Sequence, residues 1–261
     1  MKLGMSSAAF YARFETEEAA AHLGDFGLDT CEVFLETPSE YTADFGRMVR
    51  EKLKGLHCTS VHPLGTQFEQ QLFGRSLRQV EDAFSVFTGV CDAGQAAGAK
   101  YYVFHGPFGV HGRLKPENIH RLQDAFGRMQ QIARTRGMTV LWENVHWCAL
   151  REMEDVRTLV RLLPEIGFVL DVKQAYRAGV SPFDMLDAMG DRVRHVHVLD
   201  TARDGSLCLP GQGTFDWLRL IRQLQRQGYD GAVILEPYEA QAKDEAALRG
   251  SLDFLRRSLQ G

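Results

Sequence analysis

Short apolar runs bounded by Gly, Pro, Asp or Asn recur along this chain. Six of them end on, or just before, a carboxylate or histidine: SVHP at 60–63, VFHG at 103–106, VLWEN at 140–144, FVLD at 168–171, HVHVLD at 195–200 and VILEP at 233–237. Counted along the whole chain, strand-like runs fall at 2–9, 30–36, 57–63, 100–106, 138–144, 167–171, 194–200 and 231–236. They alternate with segments at 78–97, 116–136, 155–163 and 215–227 that repeat apolar residues every three or four positions, the period of a half-buried helix. Helix boundaries carry their own marks. Pro116 sits in a first turn, Ser181 and Pro182 open a short helix to Met189, and Gly98, Gly137 and Gly228 close others.

This alternation predicts eight βα units, hence an α/β fold of the (β/α)8 TIM-barrel type formed as one domain over residues 1–261. A doubly wound open sheet uses the same alternation but normally carries a Gly-rich phosphate turn after its first strand. Here that stretch reads LGMSSAAF and contains no GxGxxG. The length of 261 residues suits a barrel, which typically takes about 250.

In a barrel the C-terminal strand ends meet on one face, so groups distant in sequence become neighbours there. His62, His105, Glu143, Asp171, His197 and Glu236 are therefore expected in one pocket. Imidazoles and carboxylates without a thiolate suit Mn²⁺, Zn²⁺, Co²⁺ or Mg²⁺. Glu143, Asp171 and Glu236 each terminate an apolar run, where a carboxylate is costly unless paired, hydrogen-bonded or metal-bound; with His197 they form a candidate site for one cation. His195 lies on the same side of its strand two residues earlier and is expected as a hydrogen-bonded residue of the barrel interior. His62 and His105 are expected to contact substrate, the alternative being a second metal held with Glu143. Lys173 and Gln174 follow the sixth strand; the lysine could hold an anionic group, stabilise an enediolate or pair with Asp171. Asp200 either orients a histidine or caps a loop, and a helix is expected to start at Thr214 in LPGQGTFDW. His146 and Trp147 are candidates for the pocket mouth, and Arg75 and Arg78 read as a solvated helix face.

Composition narrows the partners. A 44% hydrophobic, 25% charged chain is an ordinary globular protein. Its net charge of -4 gives no general attraction for nucleic acid or anionic membrane, so neither is expected as a partner. The cysteines, Cys31, Cys58, Cys91, Cys148 and Cys208, are odd in number and form no CxxC pair, which predicts free thiols. MKLGMSSAAF is too short in its apolar part for a signal peptide, and a cytoplasmic location follows as the expectation. A homo-oligomer is compatible with all of this.

The ordered elements VHP, FHG, WEN, LDVKQAYRAG, HVHVLD, PGQGTFDW and GYDGAVILEPY resemble the xylose isomerase-like TIM-barrel superfamily. This is the sugar phosphate isomerase/epimerase group that also includes the endonuclease IV family. Resemblance to its ketohexose epimerases implies that Glu143, Asp171, His197 and Glu236 bind one divalent metal, with Glu143 and Glu236 also flanking the reacting carbon as proton-transfer groups. It implies a sugar isomerase or epimerase working through an enediolate; in that chemistry His62, His105, Lys173 and Gln174 are expected against the substrate. Two positions depart from the family pattern: Gln174 stands where a histidine is usual, and Ala149 lies near the place of an epimerase-type glutamate. The Asp-x-His pair of endonuclease IV relatives is also missing, since 205–209 reads GSLCL. An endonuclease IV-like di-metal phosphoester hydrolase and a non-catalytic sugar-binding barrel are the alternative readings.

Overall fold

The structure, a computed structural model, describes residues 1–64, 66–107 and 119–260. Strands β1 (Lys2–Ser6), β2 (Thr30–Leu35), β3 (Cys58–Pro63), β4 (Tyr101–Phe104), β5 (Thr139–Glu143), β6 (Gly167–Asp171), β7 (Val193–Val198) and β10 (Ala232–Leu235) close into a parallel barrel in the order β1-β10-β7-β6-β5-β4-β3-β2. A small antiparallel ribbon, β8 (Asp200–Thr201) with β9 (Leu207–Cys208), stands above β7. The eight predicted strands are all present, and the first stops at Ser6 because residues 7–10 turn into a 3-10 helix whose Ala8 amide donates to Ser6 Oγ. Among the described residues no helix is long and apolar enough to cross a membrane.

Helices alternate with the strands as expected, with small shifts at their ends. They include Leu77–Ala97, Ile119–Arg134, Met153–Leu162, Pro182–Met189 and Trp217–Arg226. The expected first turn at Pro116 lies outside the described residues. The helix expected at Thr214 begins instead at Trp217, because the Asp216 carboxylate accepts the Arg219 amide at 3.0 Å and so takes the cap. Thr214 is drawn off by Thr201, whose carbonyl accepts its amide at 3.0 Å.

Period-two alternation gives each strand two destinations. Phe104, Trp142, Phe168 and Leu170 join the large core beneath the helices, while Val103, Leu141 and Val169 form a separate small apolar cluster. Two residues beyond that small cluster come His105, Glu143 and Asp171. The same step leads from Ser60 to His62, from His195 to His197 and from Ile234 to Glu236. Register holds the levels together, with Asp171 opposite His197 and Glu32 opposite Ser60.

Candidate active site

Glu143 and Asp171 end β5 and β6, His197 is the fifth residue of β7, and Glu236 follows β10. Donor atoms of these four buried side chains all lie within 4.8 Å of one another. Local bonding explains their aim. Asn144 Nδ2 donates to the Asp171 carbonyl at 2.9 Å and its Oδ1 accepts the Asp171 amide at 2.8 Å, tying the ends of β5 and β6 together. Asp171 also caps the helix Val172–Arg177, its Oδ1 accepting the Gln174 amide at 2.8 Å. That leaves Oδ2 facing the pocket.

Glu143 stands at the meeting point of three imidazoles. Its Oε1 lies 2.9 Å from His197 Nδ1, and its Oε2 lies 3.1 Å from His105 Nε2 and 3.6 Å from His62 Nε2. Burial works against its charge, yet those imidazoles hold its carboxyl well below the usual range. Oε2 nevertheless has no well-formed hydrogen bond among the described residues. Asp171 behaves oppositely: burial pushes it up to about 7 against the pull of Lys173, and the crowding carboxylates of Glu143 and Glu236 add to the rise. Burial disfavours charge on His62, but Glu143, Glu32 and Glu236 raise it to about 9. Lys173, itself buried, donates to Asp171 Oδ2 at 2.5 Å and to Glu236 Oε2. Gln174 Oε1 lies 2.5 Å from His146 Nδ1, and the half-exposed Trp147 packs beside His105 with ring centroids 5.8 Å apart.

A second polar group lies one layer deeper. Glu32 Oε2 accepts from Ser60 Oγ at 2.8 Å and meets His197 Nε2 at 3.0 Å and His195 Nε2 at 3.2 Å. Sequence reasoning missed Glu32, although a lone acid inside the apolar strand TCEVFL was its signal. It also missed Glu69, buried beside the pocket, whose Oε1 accepts from Tyr102 Oη at 2.8 Å and whose Oε2 is 4.0 Å from His105 Nδ1. Burial raises its carboxyl above the ordinary range. Nothing in QFEQQLF distinguishes that glutamate from its neighbours.

Of the two roles open to Asp200, the structure favours the loop cap. Its carboxylate accepts the amides of Thr201 (2.7 Å), Phe215 (3.1 Å) and Gly211 (3.3 Å) and the Trp217 indole N–H (2.8 Å). A Cβ on Gly213 would sit 2.2 Å from Asp200 Oδ1, so only glycine lets this loop close. Gly106, after His105, has a φ of 84° and a Cβ there would meet the Trp142 indole at 2.5 Å. Arg75 and Arg78 are exposed.

Three carboxylates and one imidazole, with no thiolate among them, are donors of the kind that hard and borderline divalent cations take. The incompletely bonded Glu143 Oε2 and the crowded Asp171 carboxyl both favour an added positive charge, so the residues fit such an ion. His62, His105 and Glu143 form another candidate donor group, as do Glu32, His195 and His197.

Comparison with known proteins agrees with the barrel. Fructoselysine 3-epimerase of Escherichia coli O157:H7 is 22% identical over 255 residues, covering 90% of each chain. Inosose dehydratase of Clostridium beijerinckii is 20% identical over 157 residues, a match spanning 52% of this chain and only about half, 51%, of that protein. Among solved structures, D-psicose 3-epimerase in the presence of D-fructose superposes with a TM-score of 0.81 at 16% identity over the full length of both chains. The IOLI protein with a bound zinc atom gives 0.74 at 18% identity, covering 99% of this chain and 96% of that one. The family model of the xylose isomerase-like TIM barrel matches residues 18–258, and the chain belongs to that family.

Proposed function

We propose that this protein is a divalent-metal-dependent sugar or sugar-phosphate isomerase or epimerase that moves a proton beside a carbonyl through an enediolate. The observation that carries the reading is the buried group of Glu143, Asp171, His197 and Glu236. Along the barrel wall the order β10-β7-β6-β5 puts Asp171 and His197 between the two glutamates. Glu143 and Glu236 can thus approach a bound carbon from two sides, one removing its proton and the other returning one. Asp171 and His197 complete the ligand set. A bound Mn²⁺, Zn²⁺, Co²⁺ or Mg²⁺ would gather the two neighbouring sugar oxygens and stabilise negative charge on them.

His197 is prepared for that task by Glu32, which fixes Nε2 and leaves Nδ1 toward the pocket. His62 and His105 offer N–H donors to a substrate oxygen, and Lys173 and Gln174 lie on the side of the mouth. Return of the proton to the opposite face epimerises; return to the neighbouring carbon isomerises. Dehydration begins with the same proton removal and ends with loss of a hydroxyl from the next carbon, so relatives named epimerase and dehydratase are chemically consistent with one site. Free cysteines and the absence of an anion-binding charge excess support a cytoplasmic enzyme acting on small molecules.

The test is metal content per chain together with deuterium uptake by candidate ketoses in D₂O, for wild type and Glu236→Gln. One ion and Glu236-dependent exchange are expected. Two ions with phosphoester cleavage would favour the di-metal hydrolase, for which the His62, His105 and Glu143 group is the supporting feature. Saturable sugar-induced stabilisation with no exchange would favour a binding barrel.

A further inference from the structure

Lys173 lies inside the proposed metal centre and not merely beside it. Its buried ammonium contacts Asp171 Oδ2 at 2.5 Å and Glu236 Oε2. For Asp171 this is the oxygen left to offer, and for Glu236 it is the one nearer the His197 ring. Asp171 Oδ1 is already engaged by the Gln174 amide at 2.8 Å, and Glu236 Oε2 is the oxygen 3.6 Å from His197 Nδ1. His197 Nδ1 is in turn the imidazole nitrogen that faces this group, because Nε2 is held by Glu32 at 3.0 Å.

We propose that the Lys173 ammonium and a divalent cation compete for Asp171 Oδ2 and Glu236 Oε2, so that Lys173 sets the metal affinity of the centre and leaves it when metal binds. The inference rests on the metal-centre reading above. Two cations in contact with the same pair of oxygens repel strongly where water is excluded, and the divalent one has the larger attraction for both carboxylates. The lysine has somewhere to go. The Tyr238 ring, 40% exposed, is already centred 5.4 Å from Nζ, with the Arg177 guanidinium at the same distance, so a withdrawing ammonium keeps an aromatic neighbour on its way toward solvent. Metal loading therefore turns the lysine toward the open mouth, where a substrate oxygen would arrive.

A lysine that served only to hold the folded carboxylates together would affect stability and leave metal affinity alone. Calorimetric titration of chelator-stripped, dialysed protein with Mn²⁺ separates the two roles, with wild type and Lys173→Met compared. Lys173→Met should bind Mn²⁺ about tenfold or more tightly than wild type, and Mn²⁺ should raise its Tm by more. Equal or weaker affinity in Lys173→Met, with wild type taking one ion per chain, overturns the competition and leaves the metal centre standing. No binding of Mn²⁺ or Zn²⁺ by either folded protein overturns the centre itself, and the competition with it. Should Lys173→Met fail to fold, Lys173→Gln removes the same charge and is read the same way.

Discussion

Two buried polar layers, stacked two residues apart on the same strands, differ in how their charges balance. In the lower one a single carboxylate, Glu32, gathers Ser60, His195 and His197 on one oxygen. In the upper one Glu143, Asp171 and Glu236 crowd around His197, with His62, His105 and Lys173 at hand. Glu32, Glu143 and Asp171 are all almost fully buried, so burial alone does not separate the layers. Donor count does. The lower carboxylate has three donors to itself, although its Oε1 and His195 Nδ1 have no hydrogen-bond partner among the described residues, whereas the three upper carboxylates share four, His62, His105, Lys173 and His197, and so have more use for a further positive charge. His197 belongs to both, with Nε2 directed down and Nδ1 up. The lower layer is therefore hydrogen-bonded to the chemistry through this ring, while the Glu32 charge also reaches His62.

The largest expected effect lies in the upper layer. Glu236→Gln keeps the shape of the side chain and removes its proton-accepting charge, so deuterium exchange into substrate should fall about 10²–10⁴-fold, the usual worth of a general acid or base. The circular dichroism spectrum should stay unchanged. Exchange within threefold of wild type would mean that Glu236 is not in the chemistry, and the contrast between the layers would lose its functional side.

The histidines offer the next division. His62, in the upper layer, is raised to about 9, while burial lowers His195 in the lower layer despite its bond to Glu32. A histidine raised above its ordinary value near 6.5 gives stability that is fully present below that value and is lost as pH rises through about 9. A depressed one does the reverse, with its contribution present above 6.5 and lost as pH falls. In metal-free protein, NMR titration should find His62 losing its proton near pH 9 and His195 neutral at pH 7, with Glu143→Gln lowering the His62 midpoint. Coincident midpoints for the two rings would erase the electrostatic difference between the layers.

Glu32→Gln tests whether the lower layer reaches the upper one through His197. Loss of the carboxylate that fixes Nε2 should weaken metal binding about 10–100-fold, the typical cost of losing a ligand's supporting partner. Calorimetric titration with Mn²⁺ reads this directly. Unchanged affinity would make Glu32 a purely structural acid.

What could be read from the sequence follows the same division. Glu143, Asp171, His197 and Glu236 were legible because each ends or follows an apolar run, where a barrel opens and a polar residue stands out. The strands themselves were legible through alternation. Glu32 and Ser60 lie within their strands, where a polar residue on the inward side reads as an interruption of the core until its partners on other strands are known. Asn144 was hidden by standing next to Glu143, since its role depends on the backbone of β6. The start of the helix Trp217–Arg226 was misjudged because Thr214 and Asp216 are both good caps, and only the competing bond from Thr214 to Thr201 decides between them. Long-range partners, not local propensity, account for each miss.

The smallest expected effect is also the most selective. Ser60 Oγ donates to Glu32 Oε2 at 2.8 Å, and its other neighbour, His195 Nε2, lies 3.2 Å away. It touches no group of the upper layer through these bonds. Ser60→Ala removes one of three donors to the carboxylate and leaves both imidazoles in place, so the fold should lose about 1–2 kcal/mol, a net hydrogen bond to a charged group. For a chain of this size that is a fall in Tm of about 2–8 °C. Metal affinity and exchange rate should remain within a factor of two, because His197 still has Glu32 beneath it. A Ser60→Ala protein that kept its Tm but lost metal affinity would reverse the assignment, making the lower layer part of the chemistry and not its support.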